Sequence, residues 1–254
     1  MGDTKSVLVT GSAGRIGEFV WKEIESRGHR VRGFDLRATP GLEDSVVGNL
    51  TDVQTLEAAM DAVDTVVHLA ATPDVADFMT DLLPNNIVGL YNILEGARKT
   101  ETVKNVVLAS SVQVVWGHEG PFPITEEMPY SPQNWYGSGK VLSEAAGRFY
   151  AYEHGMQVIC VRPGWCPRSQ EHVDILRSNW HDSQDFYFSP ADAGRCFACA
   201  AEAKLNVPFC AVFGCSQWVH KPYLDLSLAK EMIGYEPEDV WPAGIEVVLD
   251  QAEE

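Results

Sequence analysis

Tyr136 and Lys140 stand four residues apart, a spacing that stacks a phenol and an ammonium on one face of a helix. An ammonium beside a phenol favours the phenolate, so the pair suits proton transfer: base for oxidising an alcohol, acid for the reverse. Ser110 and Ser111 follow an apolar run at 105–109. A hydroxyl there can hold the oxygen that reacts, and Ser111 is the favoured candidate. The other chemistry lies near the start. Thr10-Gly11-Ser12-Ala13-Gly14-Arg15-Ile16-Gly17 follows the apolar run 6–9 and opens an apolar-periodic segment. Gly11 permits a tight turn, Gly14 lets backbone N–H groups approach a pyrophosphate, and Gly17 lets helix pack on strand. Asp35, about 20 residues on, can accept from ribose hydroxyls, which favours NAD over its 2′-phosphorylated form. Arg15 and Arg37 keep NADP open as the alternative. Asp52 serves equally well as an adenine contact or a helix cap.

These residues must be positioned by a scaffold, and strand and helix signals alternate as in βαβ units. Strands are expected at 7–10, 30–34, 46–48, 64–69, 105–109 and 157–161. Helices are expected at 14–27, 52–60, 83–99 and 134–154. Beyond Pro163 the texture changes: a short helix near 173–178, a strand at 185–188, a helix at 190–203, a strand at 209–213 and a helix at 225–233. The fold class is therefore α/β, a doubly wound Rossmann-type parallel sheet with a small C-terminal substrate lobe. Residues 1–162 form the dinucleotide-binding core, and 163–254 form a lobe that completes the same domain.

The chain has 254 residues, 45% of them apolar, and a formal charge of −17. That field repels nucleic acid, and no basic stripe offsets it. Acidity of this kind aids solubility and also suits a saline habitat. No apolar stretch approaches the roughly 20 residues needed to cross a bilayer, and no secretory signal is seen at the N-terminus. The six cysteines are scattered through the second half, the pattern of reduced thiols, so a cytoplasmic location is expected. Cys196 and Cys199 lack a partner pair, so packing is expected there and no metal. His68, at a strand end, reads as a buried imidazole. Asn86 either packs its helix or orients the tyrosine loop.

With these motifs in place, the chain resembles the extended short-chain dehydrogenase/reductases of the NAD-dependent epimerase/dehydratase group. The carrying segments are 10–17, Asp35, 49–52, His68-Leu69-Ala70-Ala71, Ser110-Ser111, 136–140, Arg162-Pro163-Gly164, Asp192 and Gly234-Tyr235-Glu236-Pro237. The resemblance implies a Ser111–Tyr136–Lys140 catalytic set. It also implies a nicotinamide dinucleotide held by Gly11, Gly14, Arg15, Ile16, Gly17, Asp35, Asp52, Leu69, Ala70, Ala71 and Lys140. A homodimer pairing the helices 83–99 and 134–154 is implied too.

Within that group the compact length is similar to that of uronate dehydrogenase-like members, as are the segments 86–92, 180–186 and 212–216. The roughly 90 residues after Arg162 hold few basic groups, poor material for a diphosphate clamp, so a free sugar or sugar acid is the expected substrate. Asp74, Ser111, Gln113, Tyr136, Trp165 and Arg177 are assigned to its side of the crevice. The chain departs from the uronate pattern at Val112-Gln113, where that family has Asn-His, and at Trp165, where it has serine. Its carboxylate-binding arginine falls two positions before Arg177, leaving Arg15, Arg168 and Arg177 as candidates. Trp116, Trp165 and Trp180 either stack on a sugar face or pack the lobe. The alternatives to a dehydrogenase are a sugar epimerase/dehydratase and a non-catalytic NAD(P) sensor.

Overall fold

The computed structural model describes residues 4–73 and 76–250. Seven parallel strands form one sheet in the order β3-β2-β1-β4-β5-β6-β7. They are β1 (Ser6–Thr10), β2 (Arg30–Asp35), β3 (Ser45–Val47), β4 (Thr65–His68), β5 (Asn105–Ala109), β6 (Gln157–Pro163) and β7 (Phe209–Gly214). The strand order reverses between β1 and β4, and ligands of such sheets bind at the carboxyl ends beside that reversal.

Side chains alternate across the sheet, so each strand feeds two cores. Val7, Val9, Val67, Val107 and Ile159 face one side; there they pack with α1 (Arg15–Ser26) and α6 (Pro190–Glu202). Leu8, Val66, Val106, Leu108 and Val158 face the other, under α2 (Val53–Ala59), α3 (Gly89–Lys99) and α4 (Trp135–His154). This two-sided burial is why the strands read as continuous apolar runs. The remaining helices are α5 (Gln170–Arg177), α7 (Ser227–Ile233) and α8 (Ile245–Asp250). No helix among the described residues is long and apolar enough to cross a membrane.

The fold class expected from sequence is the one observed. The segment beyond Pro163 supplies β7 and α6 to the sheet and its flank, builds one smaller core of its own, and shares a second with residues 112–124. One expected strand is absent. Residues Trp180–Phe186 form a 3₁₀ turn, and Tyr187 alone bridges Trp165. The reason is local: the buried Asp185 carboxylate accepts from the backbone N–H groups of Val219 and His220, each at 2.7 Å, and curls the chain around itself. The expected helix at 83–99 begins earlier, as a π-helical stretch Phe78–Val88, and tightens to α3 at Gly89. Pro84 sits inside that stretch and lacks the N–H that an α-helical ladder requires.

Candidate active site

The glycine turn joins β1 to α1 with no space for side chains. Gly11 takes φ +74°, in the left-handed region. A Cβ there would lie 2.7 Å from the Ala70 nitrogen, and one on Gly17 only 2.0 Å from the Gly11 carbonyl oxygen. Gly14 stands at the helix N-cap without a side-chain cap, which leaves the first N–H groups of a twelve-residue helix directed at the crevice. The Asp35 carboxylate, at the end of β2, accepts from the Ala13 N–H at 3.1 Å. Arg37 donates to the Ala13 carbonyl at 2.9 Å. The turn is thus bracketed by one anion and one cation at the edge where a ribose would lie. Leu69, Ala70 and Ala71 leave β4 beside Gly11, with the Leu69 N–H held by the Thr10 carbonyl.

Asp52 is a helix cap. Its oxygens accept from the Thr55 N–H at 3.2 Å and the Thr55 hydroxyl at 2.6 Å, which holds its carboxyl below the usual range. His68 hydrogen-bonds Thr10 Oγ1 at 2.8 Å. Burial, with the Lys140 charge adding to it, pushes its pKa down to about 3, so the ring is neutral at the sheet's end. Asn86 clasps the backbone of Thr72 through both amide atoms, at 2.7 and 2.8 Å. It therefore fixes the loop after Ala71. Asp74 lies outside the described residues.

The proton-transfer pair sits on α4, which begins at Asn134. That residue caps the helix by accepting from the Gly137 N–H at 2.7 Å, and its amide donates to the Gln113 side chain at 2.8 Å. Ser111 in turn caps the short 3₁₀ turn Val112–Val114 by accepting from the Gln113 N–H. Gln113 therefore ties the serine loop to the start of α4, one residue pair before Tyr136. The contact is close: a Cβ on Gly137 would approach the Gln113 carbonyl oxygen to 2.8 Å. Lys140 lies 6% exposed, its Nζ donating to the Ala109 carbonyl at 2.7 Å and standing 5.4 Å from the centre of the Tyr136 ring. Burial pulls its pKa down to about 8, so it still carries its charge at neutral pH.

Sequence reasoning missed the brace behind these groups. Glu144, fully buried, accepts from the Ser110 hydroxyl, from Tyr130 and from both Nε and Nη2 of Arg162, the last two at 2.8 Å. It lies four residues after Lys140, so Tyr136, Lys140 and Glu144 share one helix face, a spacing that could have exposed it. Through Lys140 and Glu144, α4 grips Ala109 and Ser110 in succession, immediately before Ser111.

The substrate-side candidates scatter more. Trp165 follows β6 and is half-buried between two small cores, edge-on to His172. Arg177 is more than half exposed on α5 and pairs with Asp174 at 3.2 Å. Arg15 donates to the Val248 carbonyl at 3.1 Å. A cleft of about 350 Å³ opens beside the serine loop, walled by Val112, Trp116, Phe122, Trp180, Phe186 and Tyr223. A more open hollow of about 530 Å³ lies between β2, β3 and α2, near Arg32, Asp44 and Gln54.

Comparison with known proteins agrees with this geometry. Residues 7–165 match the model of the NAD dependent epimerase/dehydratase family, and the chain belongs to that family. It is 31% identical to the L-arabinose 1-dehydrogenase (NAD(P)(+)) of Haloferax volcanii, over 92% of this chain and 96% of that one. It is 28% identical to the NAD-dependent glucose-6-phosphate dehydrogenase of the same organism, over 92% and 93%. A crystal structure of a uronate dehydrogenase mutant from Agrobacterium tumefaciens, complexed with NAD, superposes with a TM-score of 0.76 at 25% identity, covering 97% of this chain and 89% of that one.

Proposed function

We propose that this protein is an NAD-dependent oxidoreductase that oxidises a CH–OH group of a free sugar or sugar acid. The observation that carries it is the buried Lys140, anchored on Ala109 and facing Tyr136, at the carboxyl edge of the sheet that also bears the glycine turn. The cradle fits a dinucleotide, because glycine at 11 and 17 lets the turn close tightly on Ala70 and on itself, and the α1 N-terminus carries no side-chain cap. Gly11, Gly14, Arg15, Ile16 and Gly17 would hold the pyrophosphate region. Asp35 would take the adenosine ribose, Leu69–Ala71 would line the crevice, and Lys140 would hold the nicotinamide ribose. Asp35 favours NAD, with Arg37 beside it leaving NADP accessible. NAD, when bound, supplies the hydride acceptor.

The chain's own residues handle the proton. Tyr136 as phenolate takes it from the substrate hydroxyl, Ser111 Oγ orients the oxygen that becomes a carbonyl, and the Lys140 ammonium keeps the phenolate accessible. Gln113 positions the serine loop through Asn134. Trp165 borders the substrate side after β6, and Asp74 and Arg177 are proposed for the same side. Residues 163–254 supply the outer wall of the site.

Two copies are proposed to pair through α3 and α4. Leu142, Phe149 and Tyr152 on α4 and Tyr91 on α3 are exposed apolar side chains on adjacent helices. Light scattering that returned a monomer at micromolar concentration would refute this. The six unpaired cysteines suit a reducing compartment, and we place the protein in the cytoplasm.

The test of the chemistry is to mix protein, NAD and a sugar panel and to follow NADH absorbance. Tyr136→Phe should lose roughly 10²- to 10⁴-fold in kcat while NAD affinity stays unchanged. Turnover that survives the substitution would sink the mechanism. Bound NAD without net NADH, together with interconversion of sugar epimers, would instead mark an epimerase.

A further inference from the structure

The aromatic cleft opens beside the serine loop, with Val112 and Val115 in its wall. Val112 directly follows Ser111 at the end of β5. Phe186, on the opposite wall, accepts the Trp165 N–H at 2.6 Å just beyond β6. A molecule seated in the cleft therefore borders the two strand ends from which Ser111 and Trp165 emerge.

Its rings are mutually braced. Trp116 lies 5.0 Å from Phe186, Phe186 4.8 Å from Tyr223, and Tyr223 4.6 Å from Phe122. Trp180, more than half exposed, stands at the rim. Aromatic faces are negative, and the C–H face of a sugar ring presents weakly positive hydrogens to them. A volume of about 350 Å³ lies at the small end of the range for small-molecule sites.

The cleft also carries a fixed carboxylate. Asp182 accepts from the Tyr223 hydroxyl and pairs with Lys221 at 3.3 Å. Lys221 is committed to that pair and to the Tyr223 ring, 4.3 Å beneath it. Hydrogen bonds from Tyr223 and Lys221 hold the Asp182 carboxyl below the usual range, so it stays ionised. Two of the arginines that could have met a substrate carboxylate have partners elsewhere: Arg177 on Asp174 and Arg15 on Val248. The segment bearing Trp180 and Asp182 is strained as well. Asn179, His181 and Asp182 all take left-handed φ of 50–57°, and strain of this kind collects at ligand clamps.

We propose that this cleft selects a neutral sugar ring, seated by its C–H face on the aromatic walls and accepted at a ring hydroxyl by Asp182, which turns away carboxylated and phosphorylated sugars. The inference rests on the redox function proposed above and names its substrate class.

The test uses the intact protein with NAD and matched sugars. D-galactose and D-galacturonate differ only at C6; L-arabinose, D-glucose, D-glucuronate and D-glucose 6-phosphate extend the set. The best neutral sugar should exceed every anionic one by about tenfold or more in kcat/KM, equivalent to the loss of one good contact. Trp180→Ala should raise KM for that sugar about fivefold with kcat within about twofold, since uniform binding is what it removes. Asp182→Asn keeps a side chain that tolerates the left-handed backbone and should raise the anionic sugars relative to the neutral ones. Turnover that favours galacturonate or glucose 6-phosphate would overturn the substrate class and leave the redox function intact. Binding of a neutral sugar to the NAD-loaded protein, seen by tryptophan fluorescence, without any NADH would do the reverse. Neither binding nor turnover of any sugar would sink both.

Discussion

At the glycine turn, one short stretch of chain makes nearly the whole cradle, and Asp35 and Ala70 close it from the two neighbouring strands. At the aromatic cleft, Trp116, the turn that carries Trp180 and Phe186, and Tyr223 converge from three segments far apart in the chain. The first region is defined by backbone: φ, N–H direction and the absence of Cβ atoms. The second is defined by side chains on loops. A cradle of backbone tolerates almost no variation, whereas a wall of loop side chains can be retuned residue by residue while the proton machinery stays in place. Between them stands α4, where Glu144 and Arg162 lock the helix of Tyr136 to the ends of β5 and β6.

That joint is where the contrast breaks most violently. Arg162→Met leaves Glu144 as a buried charge without its partner and should cost about 3–5 kcal/mol in denaturant unfolding. Loss of under 1 kcal/mol would mean the brace is dispensable. Gly17→Ala puts a Cβ against the Gly11 carbonyl, so the turn must shift, at about 1–3 kcal/mol. Calorimetry should show NAD affinity falling with it, while sugar KM in any surviving activity stays put; unchanged NAD affinity would refute a cradle of backbone.

His68 sharpens the comparison through pH. Its folded pKa, about 3, lies below the ordinary 6.5, so the unfolded chain binds a proton that the fold refuses. Its contribution is complete above pH 6.5 and is lost as pH falls toward 3, at up to about 1.4 kcal/mol per unit. Melting curves at pH 7 and pH 5 should therefore diverge less in His68→Gln than in the parent; equal divergence would remove His68 from the acid response. The smallest effect is at Asp35. Asp35→Ser should move the NADP/NAD preference by roughly fivefold to tenfold, near 1–1.4 kcal/mol, read from kcat/KM for each cofactor. An unchanged ratio would show that Arg37 alone sets it.

The cofactor end was legible in advance because its residues are neighbours in sequence and each is constrained by type. A left-handed φ with Ala70 packed against it requires glycine at position 11, and Tyr136 with Lys140 falls on one face of any helix that contains both. Asp52 reads evenly as cap or ligand in the sequence, and the structure shows the cap, with Thr55 on both of its oxygens. The spacing of Glu144 after Lys140 could have placed it on the helix face, but its role as a brace depends on Ser110, Tyr130 and Arg162, which come from other segments. The strand expected at 185–188 failed for a related reason. Its apolar run Phe186–Phe188 was overruled by Asp185 reaching Val219 and His220.

Local periodicity and residue type alone determined a doubly wound parallel sheet, a dinucleotide turn and a phenol–ammonium pair, because backbone conformation and helix spacing are properties of short stretches. Tertiary structure alone decided the brace at Glu144, the curl around Asp185 and the aromatic cleft with its fixed carboxylate. Those depend on which distant side chains share a low-dielectric space, and that is settled only when the chain closes on itself.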